Sequence, residues 1–318
     1  MSKVTGVVTS FNQEDFIIES VSSLSEQVDE LIVIDDNSTD RSWELIQSYA
    51  AGKKHLFTYQ NSANQGISES FNRGFQMSTG DLILIQGGDD SSLPDRRHIQ
   101  ENILESNQEI ILAFCQPNVI DHDGNKMNDS YASDSFINVL GKSNYTRKLL
   151  LEGNSVCAPS VAFRRTEFTN GKLFHPNVDH AQDFATWLTL SMKGDFYFTE
   201  NPYLNYRIHG KNISRFIDDS EDVLNRARSK EIAYLINTFI NELSKTETLE
   251  LARKLQVSLN NEFSLLLNKI QIKRLISNSQ LLSYCIDDCY QISQMAIGEE
   301  YTIAREMLKS FLFFPPRN

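Results

Sequence analysis

VTGVVTSFNQEDFIIESVSSLSEQVDELIVIDD, residues 4–36, changes its period twice. VTGVVT (4–9) reads as a short buried strand. In the polar stretch that follows, Ile17, Val21, Leu24 and Val28 recur at helical spacing, with Asn12 placed as the N-cap. ELIVID (30–35) reads as a second buried strand. A strand, a helix and a strand in this order imply a crossover connection, hence a parallel sheet covered on both faces.

The same alternation continues outward. Trp43, Ile46 and Ala50 share a helical face, and HLFTYQ (55–60) is the third strand. Ile67, Phe71 and Phe75 mark a helix over 66–78, and DLILIQ (81–86) is the fourth strand. A helix after Pro94 and a strand IILAFC (110–115) follow. DHDGN (121–125) has turn chemistry, and 126–145 is polar and irregular. RKLLLEGN predicts a short helix, PSVAFRR (159–165) a strand and DFATWLTLSMKG (183–194) a helix, before the short extended pieces FYFT and YLNYRIH. From Asp219 to Phe314 there is one glycine and no proline, and Leu251, Leu255, Leu259, Phe263, Leu266, Leu267 and Ile270 keep helical spacing. The pattern predicts an α/β domain over 1–217 and an all-helical region over 218–318.

Lys plus Arg is 30 and Asp plus Glu is 42, a net charge of −12. That balance disfavours nucleic acid and anionic lipid as partners. The densest basic patch, KIQIKR (269–274), reads as a solvated helix face. MSKVTGVVTSF lacks the apolar core and cleavage site of a signal peptide, and no apolar run has the length to span a bilayer. Cys115, Cys157, Cys285 and Cys289 form no CxxC pair, so reduced thiols in a cytoplasmic protein are expected rather than a zinc site.

In an open parallel sheet, ligands bind outside the carboxyl ends of the strands. Strand one ends in Thr9-Ser10-Phe11-Asn12, strand two in Asp35-Asp36-Asn37-Ser38, and strand four in Gly87-Gly88-Asp89-Asp90. Gly, Asp and Ser form turns, and each acidic pair alone reads equally as a turn. Two such pairs at one edge repel unless a positive group lies between them. Oxygen ligands suit magnesium or manganese, with a substrate phosphate completing the shell. Neither GxxxxGK nor GxGxxG is present, so a metal-bridged diphosphate is the simpler expectation.

VVTSFNQEDFIIESVSSLSEQVDELIVIDDNSTDRS and NQGISESFNRGFQMSTGDLILIQGGDD resemble the opening of the family 2 glycosyltransferases, which carry a GT-A nucleotide-sugar fold. HAQDFATWLTLSMKGDFYFTENPYLNYRIHGKNIS is similar to the family's acidic helix start and closing Tyr-Arg-x-His segment, so the likeness covers about 3–215. It implies a GT-A, Rossmann-like, mostly parallel sheet with helices on both faces, and inverting transfer of a sugar from UDP, less readily from dTDP. It implies Thr9 and Phe11 at the base and ribose, Asp36 on the uracil or thymine, and Asn64, Gly66, Asn72 and Gly88 around the nucleotide. Asp89 and Asp90 would stand for the Asp-x-Asp element, binding Mn2+ or Mg2+ with His209, and Asp183 would be the general base. The acceptor it implies is a glycan or lipid-linked glycan of bacterial surface polysaccharide. Two positions depart from the family pattern: Gly87 replaces an acid, and Phe71-Asn72 replaces Arg-Asn.

Read alone, Asp183 is a first-turn acid favoured by the helix dipole, and His209 a satisfied histidine. Arg207 either pins a loop carboxylate or faces diphosphate. Asp35 either caps the turn after strand two or braces Asp36. Trp187 reads as core. Rival functions are a nucleotidyltransferase, whose Gly- and basic-rich loop is missing after strand one, and a non-catalytic nucleotide-sugar scaffold. The helical region is expected to dimerise, dock a partner or cover the acceptor. Its end, MLKSFLFFPPRN, offers either a buried helix end or peripheral contact with the inner face of the cell membrane.

Overall fold

β1 (Val4–Ser10), α1 (Ile17–Ser25), β2 (Glu30–Asp35), α2 (Ser42–Ala50), β3 (Leu56–Gln60), α3 (Ile67–Met77) and β4 (Leu82–Gly87) alternate through the first third of the chain. In this computed structural model the described residues are 2–127, 136, 138, 140–168, 171–174, 178, 181–210, 212 and 221–255, with 268, 269, 272, 273 and 303. Every residue of β1 and β2 is buried, as expected of strands covered on both faces. β1 runs parallel to β2 and β4, and β3 runs parallel to β2. Ser10 pairs with Asp35 and Thr9 with Gly87, so the carboxyl ends of β1, β2 and β4 lie level.

The chain continues through β5 (Ser91–Ser92), α4 (Arg96–Ser106), β6 (Ile110–Cys115), β7 (Asn118–Ile120), β8 (Gly141–Ser143), α5 (Thr146–Glu152), β9 (Ala162–Arg164), α6 (Gln182–Ser191), β10 (Asp195–Thr199) and β11 (Leu204–Arg207). The large sheet has the order β3-β2-β1-β4-β9-β6-β10-β8. It is mostly parallel, as expected, with two antiparallel members: β9 enters between β4 and β6, and β8 pairs with β10. The local pattern of PSVAFRR marks a strand but carries no direction, because direction is set by where the preceding connection returns. In a second sheet, β11 is flanked by β5, antiparallel, and β7, parallel. Leu204 pairs with Ser92 and Asn205 with Ser91. The Tyr206–His209 segment is thereby led back to the turn that follows β4.

Ile17, Val21 and Leu24 are fully buried in one cluster with Val4, Val8, Leu31 and Val33, so α1 covers the sheet with the face its spacing predicts. Val28 joins that cluster from beyond the helix end. Asn12 is not the helix cap: α1 starts after Phe16, and Asn12 adopts a left-handed backbone with φ 54° while its Oδ1 accepts from Thr39 N at 2.8 Å. Asparagine tolerates that conformation because its short polar side chain bonds locally.

The chain divides into two units, 1–145 with 154–216, and 146–153 with 217–318. In the second, α7 (Glu221–Glu242) and α8 (Lys245–Leu255) bury Ile236, Ile240, Leu251 and Leu255. Arg147 of α5 donates to Leu255 O at 2.7 Å. Lys269 and Lys273 correct the reading of KIQIKR as a solvated face: both are buried, and their Nζ atoms donate to Asn241 O and Oδ1 at 2.6 and 2.7 Å. Leu259, Phe263, Leu266, Leu267, Ile270, Cys285, Cys289 and residues 307–318 lie outside the described residues. Among the described residues no helix is long and apolar enough to cross a membrane.

α3 lies so close to the sheet that a Cβ on Gly74 would collide with Val7 Cγ1 and come within 3.4 Å of Ile34 Cγ1. An exposed helix gains up to about 1 kcal/mol from Gly→Ala. Here overpacking outweighs that gain, and Gly74→Ala is expected to lose about 1–3 kcal/mol, read as a lowered urea midpoint with unchanged slope.

Candidate functional site

The turn after β4 is fixed by backbone. Gly88 N donates to Thr9 O at 2.9 Å and Asp90 N to Gly87 O at 3.2 Å, while Ser20 Oγ of α1 donates to Gly87 O at 2.9 Å. A Cβ on Gly88 would collide with Gln13 Oε1 and stand 2.9 Å from Thr9 O, so only glycine passes this close to β1. The turn therefore ends the strand and aims the next two carboxylates at the edge of the sheet.

Arg207 secures that turn from β11. Its guanidinium, only 2% exposed, donates from Nε to Asp89 O at 2.9 Å, from Nη1 to Asp121 O and His122 O at 3.1 and 2.9 Å, and from Nη2 to Glu19 Oε2 at 2.6 Å. Of the two readings open for Arg207, the structure shows the pin on a carboxylate and loop carbonyls. Arg207 N also donates to Asp90 Oδ1 at 3.0 Å. His209 Nε2 lies 3.0 Å from Asp89 Oδ2, which also accepts from Asn212 Nδ2 at 3.3 Å. Asn212 Nδ2 also donates to Arg207 O at 2.9 Å, and its Oδ1 accepts from His209 N. Asp90 is 4% exposed. Burial, then the neighbouring charge of Asp89, pushes its carboxyl well above the usual carboxylate range, against the opposing pull of Arg207 and Arg96.

The acidic pair after β2 is spent differently. Asp35 accepts Ser38 N at 2.9 Å, Ser38 Oγ at 2.6 Å and Gln60 Nε2 at 3.0 Å, and so ties the turn together. Asp36 Oδ1 accepts Asn61 Nδ2 at 2.7 Å and Gln65 N at 2.9 Å, and its Oδ2 accepts Gly66 N at 2.8 Å. Chain N–H groups therefore compensate this pair, with no cation required, and one acceptor position of Asp36 Oδ2 stays open. Asn64 Oδ1 also accepts from Gly66 N, at 3.2 Å. Thr9 is 7% exposed, whereas Phe11 stands 44% exposed just beyond β1.

Asn72 turns its amide to the backbone of Leu173 and Phe174. It is 1% exposed; its Nδ2 donates to Phe174 O, and its Oδ1 accepts from Leu173 N and Phe174 N, each at 2.8 Å. Phe71 is buried with its ring edge-on to Phe174 at 5.5 Å, and Trp187 is fully buried. Asp183, in the first turn of α6, accepts Asn154 Nδ2 on Oδ2 at 2.7 Å and Phe184 N on Oδ1 at 2.8 Å. Cys115 and Cys157 are buried free thiols, Cys115 pushed up to about 11 by burial, which makes them poor nucleophiles and metal ligands.

One geometric feature bears on a divalent cation. An ideal Cβ on Gly87 would lie 2.8 Å from Asp89 Oδ1 and 2.9 Å from Asp90 Oδ2. Glycine keeps a side chain from pressing on these two oxygens, which are the ones that His209, Asn212 and Arg207 do not engage. Carboxylate oxygens left unengaged on neighbouring residues suit a hard cation. Among the described residues no three His, Cys, Asp or Glu groups gather as a metal site. His209 is thus found as a partner of Asp89, and further ligands to a cation in this cradle would come from bound substrate and water.

Sequence reasoning missed Phe16, Glu19, Asn61 and Asn212. Asn61 Oδ1 and Ser10 Oγ are buried with no hydrogen-bond partner among the described residues. None of these residues carries a local signal, because each takes its role from a contact distant in sequence.

A family model, Glycosyl transferase family 2, matches residues 5–170. TuaG of Bacillus subtilis, whose name assigns it to teichuronic acid biosynthesis as a glycosyltransferase, is 25% identical over 66% of this chain and 81% of its own. An uncharacterized glycosyltransferase of Haemophilus influenzae is 23% identical over 86% of this chain and 89% of its own. Two solved structures share the fold. S. aureus TarS 1–349 in complex with UDP-GlcNAc superposes with a TM-score of 0.59 at 15% identity, covering 98% of this chain and 91% of that one. The mannosyltransferase PcManGT of Pyrobaculum calidifontis, with GDP-Man and Mn2+, gives 0.54 at 15% identity, covering 99% and 81%.

Asp90→Asn keeps an acceptor for Arg207 N and removes a buried charge beside Asp89. In the metal-free protein it is expected to raise the melting temperature at neutral pH by about 2–4 °C, the shift of about 1 kcal/mol in a domain of this size. The folded carboxyl binds its proton more tightly than the unfolded one, so wild type loses stability as pH rises from about 4, the unfolded value, toward the raised folded value. The advantage of Asp90→Asn therefore grows with pH over that window, as thermal melts at a series of pH values would show.

Proposed function

The chain belongs to glycosyltransferase family 2, and from that premise we propose that it moves a sugar from a UDP-sugar, or less readily a dTDP-sugar, to a hydroxyl of a glycan or lipid-linked glycan. The observation that carries this reading is that Asp89 Oδ1 and Asp90 Oδ2, beside Gly87 at the carboxyl edge of the sheet, where open α/β sheets take their ligands, are left unengaged by the donors that hold the other two oxygens. Asp89 and Asp90 would hold Mn2+ or Mg2+ there, with His209 steadying Asp89. When bound, the cation neutralises charge that gathers on the departing diphosphate. The UDP-GlcNAc in TarS and the GDP-Man and Mn2+ in PcManGT support a nucleotide-sugar and metal reading, and the name of TuaG supports a surface-polysaccharide acceptor.

Each residue then has a task. Phe11 offers an exposed ring for the base to stack on, and Thr9 lines the ribose side. The open acceptor position of Asp36 Oδ2 takes the imide N–H of uracil or thymine, while Asn64 and Gly66 shape the loop beside it. Gly88 lets the backbone approach the diphosphate. Asp183 removes the proton from the attacking acceptor hydroxyl, held in orientation by Asn154. Direct attack from the face opposite the diphosphate inverts the anomeric centre through an oxocarbenium-like state. The enzyme works in the cytoplasm, and the helical unit covers or docks the acceptor, docks a partner or pairs with a second copy.

UDP with Mn2+ is expected to raise the melting temperature, by the equivalent of about 2.7 kcal/mol at a hundred times Kd, and neither alone should match it. Asp183→Asn is expected to keep that shift while lowering transfer or donor hydrolysis about 10²–10⁴-fold, the range of a lost general base. Turnover equal to wild type in Asp183→Asn would remove Asp183 from the chemistry.

A further inference from the structure

The residue that steadies Asp89 stands beyond the end of its own sheet. The β11–β7 pairing runs to Arg207 opposite Ile120, with one more bond from Ile208 N to Ile120 O at 2.8 Å. His209 follows just past that last pair, and its ring, bonded to Asp89, also has a packing partner. Phe16, at the start of α1 and 6% exposed, supplies that packing. Its ring centroid lies 4.8 Å from the His209 ring at an interplanar angle of 38°. The Arg207 guanidinium carbon stands 4.9 Å from the same centroid, and the His122 ring meets it edge-on at 5.0 Å. One turn further along α1, Glu19 makes the ion pair with Arg207 at 2.6 Å. Ser20 binds Gly87 O from the next position. Three residues within one helical turn thus grip both sides of the site: the strand end that carries Asp89 and Asp90, and the segment that carries Arg207 and His209.

Ordinary core packing would need an apolar ring here and nothing more. The partners of Phe16 are instead two imidazoles and a guanidinium: His209 and Arg207 bond to Asp89, and His122 O accepts from Arg207. The aromatic face attracts the Arg207 cation, and Glu19 supplies the only carboxylate ion pair that Arg207 makes among the described residues. We propose that the first turn of α1, through the Phe16 ring and the Glu19 carboxylate, is the positioning element that holds His209 against Asp89 and so sets the affinity of the site for a nucleoside diphosphate. This rests on the nucleotide-sugar reading given above. Phe16 and Glu19 are positioning residues, since they act through His209 and Arg207 rather than on the ligand.

The test uses the full chain with Phe16→Leu, Phe16→Tyr and Glu19→Gln, with UDP and Mn2+ as the probe. The chain has six histidines, so the Hε1 and Hδ2 signals of His209 can be assigned by their loss in His209→Gln. In metal-free protein, Phe16→Leu is expected to move the His209 signals toward those of a free side chain, and Phe16→Tyr to return them. Phe16→Leu and Glu19→Gln are each expected to weaken UDP–Mn2+ binding about tenfold, the equivalent of about 1.4 kcal/mol, and Phe16→Tyr to restore it. The melting temperature identifies a variant that has lost its fold, and the half-exposed Glu19 gives a second variant whose substitution leaves the core intact. His209 signals unmoved in folded Phe16→Leu, or wild-type affinity in Glu19→Gln, would overturn the proposal. Should wild type itself bind no UDP with Mn2+, the nucleotide-sugar reading fails, and the His209 signals still decide whether Phe16 positions that ring.

Discussion

Two carboxylates stand side by side where a buried strand runs out, and the folded chain must hold them there. Asp90 is nearly sealed from water and Asp89 is next to it, so their repulsion is poorly screened. Isolated buried charges are too costly to persist unpaired. The chain answers with donors drawn from far along the sequence: Arg207 N on Asp90, and His209 and Asn212 on Asp89. Those donors reach the turn because β11 pairs with β5, which follows the two carboxylates almost at once. The small sheet is thus the means by which the late segment is brought to the early one.

The compensation is incomplete in a particular direction. Arg207, His209 and Asn212 occupy one oxygen of each carboxylate, and the other two lie beside Gly87. A side chain at that position would press on both oxygens, and glycine avoids that contact. By contrast, Asp35 and Asp36 meet similar repulsion with backbone and amide N–H groups from their own neighbourhood. Two acidic pairs at one sheet edge therefore have different chemistry, and the pair after β4 keeps one oxygen of each carboxylate clear of the donors that hold the other.

Much of the architecture was legible because it is local. Buried apolar runs placed β1, β2, β4 and β6 to within a residue, whereas α1 begins and ends inside the stretch its spacing marked, and the level ends of β1, β2 and β4 follow from parallel pairing. The direction of β9 was not legible, since three residues of strand pattern look alike in either orientation. The part Asn72 plays in the fold was not legible either. It clamps the loop at Leu173–Phe174, about a hundred positions away, and no local pattern reports such a bond. The same limit hid Phe16 and Glu19. Their neighbours in sequence read as the start of an amphipathic helix, while their partners lie in the last part of the α/β unit.

That Asp89 and Asp90 together would hold a divalent cation is tested most directly by anomalous diffraction at the manganese edge from crystals soaked in UDP and Mn2+. One anomalous peak beside these two carboxylates, with nucleotide density next to it, is expected. A peak elsewhere, or bound nucleotide with no peak at these carboxylates, would contradict it.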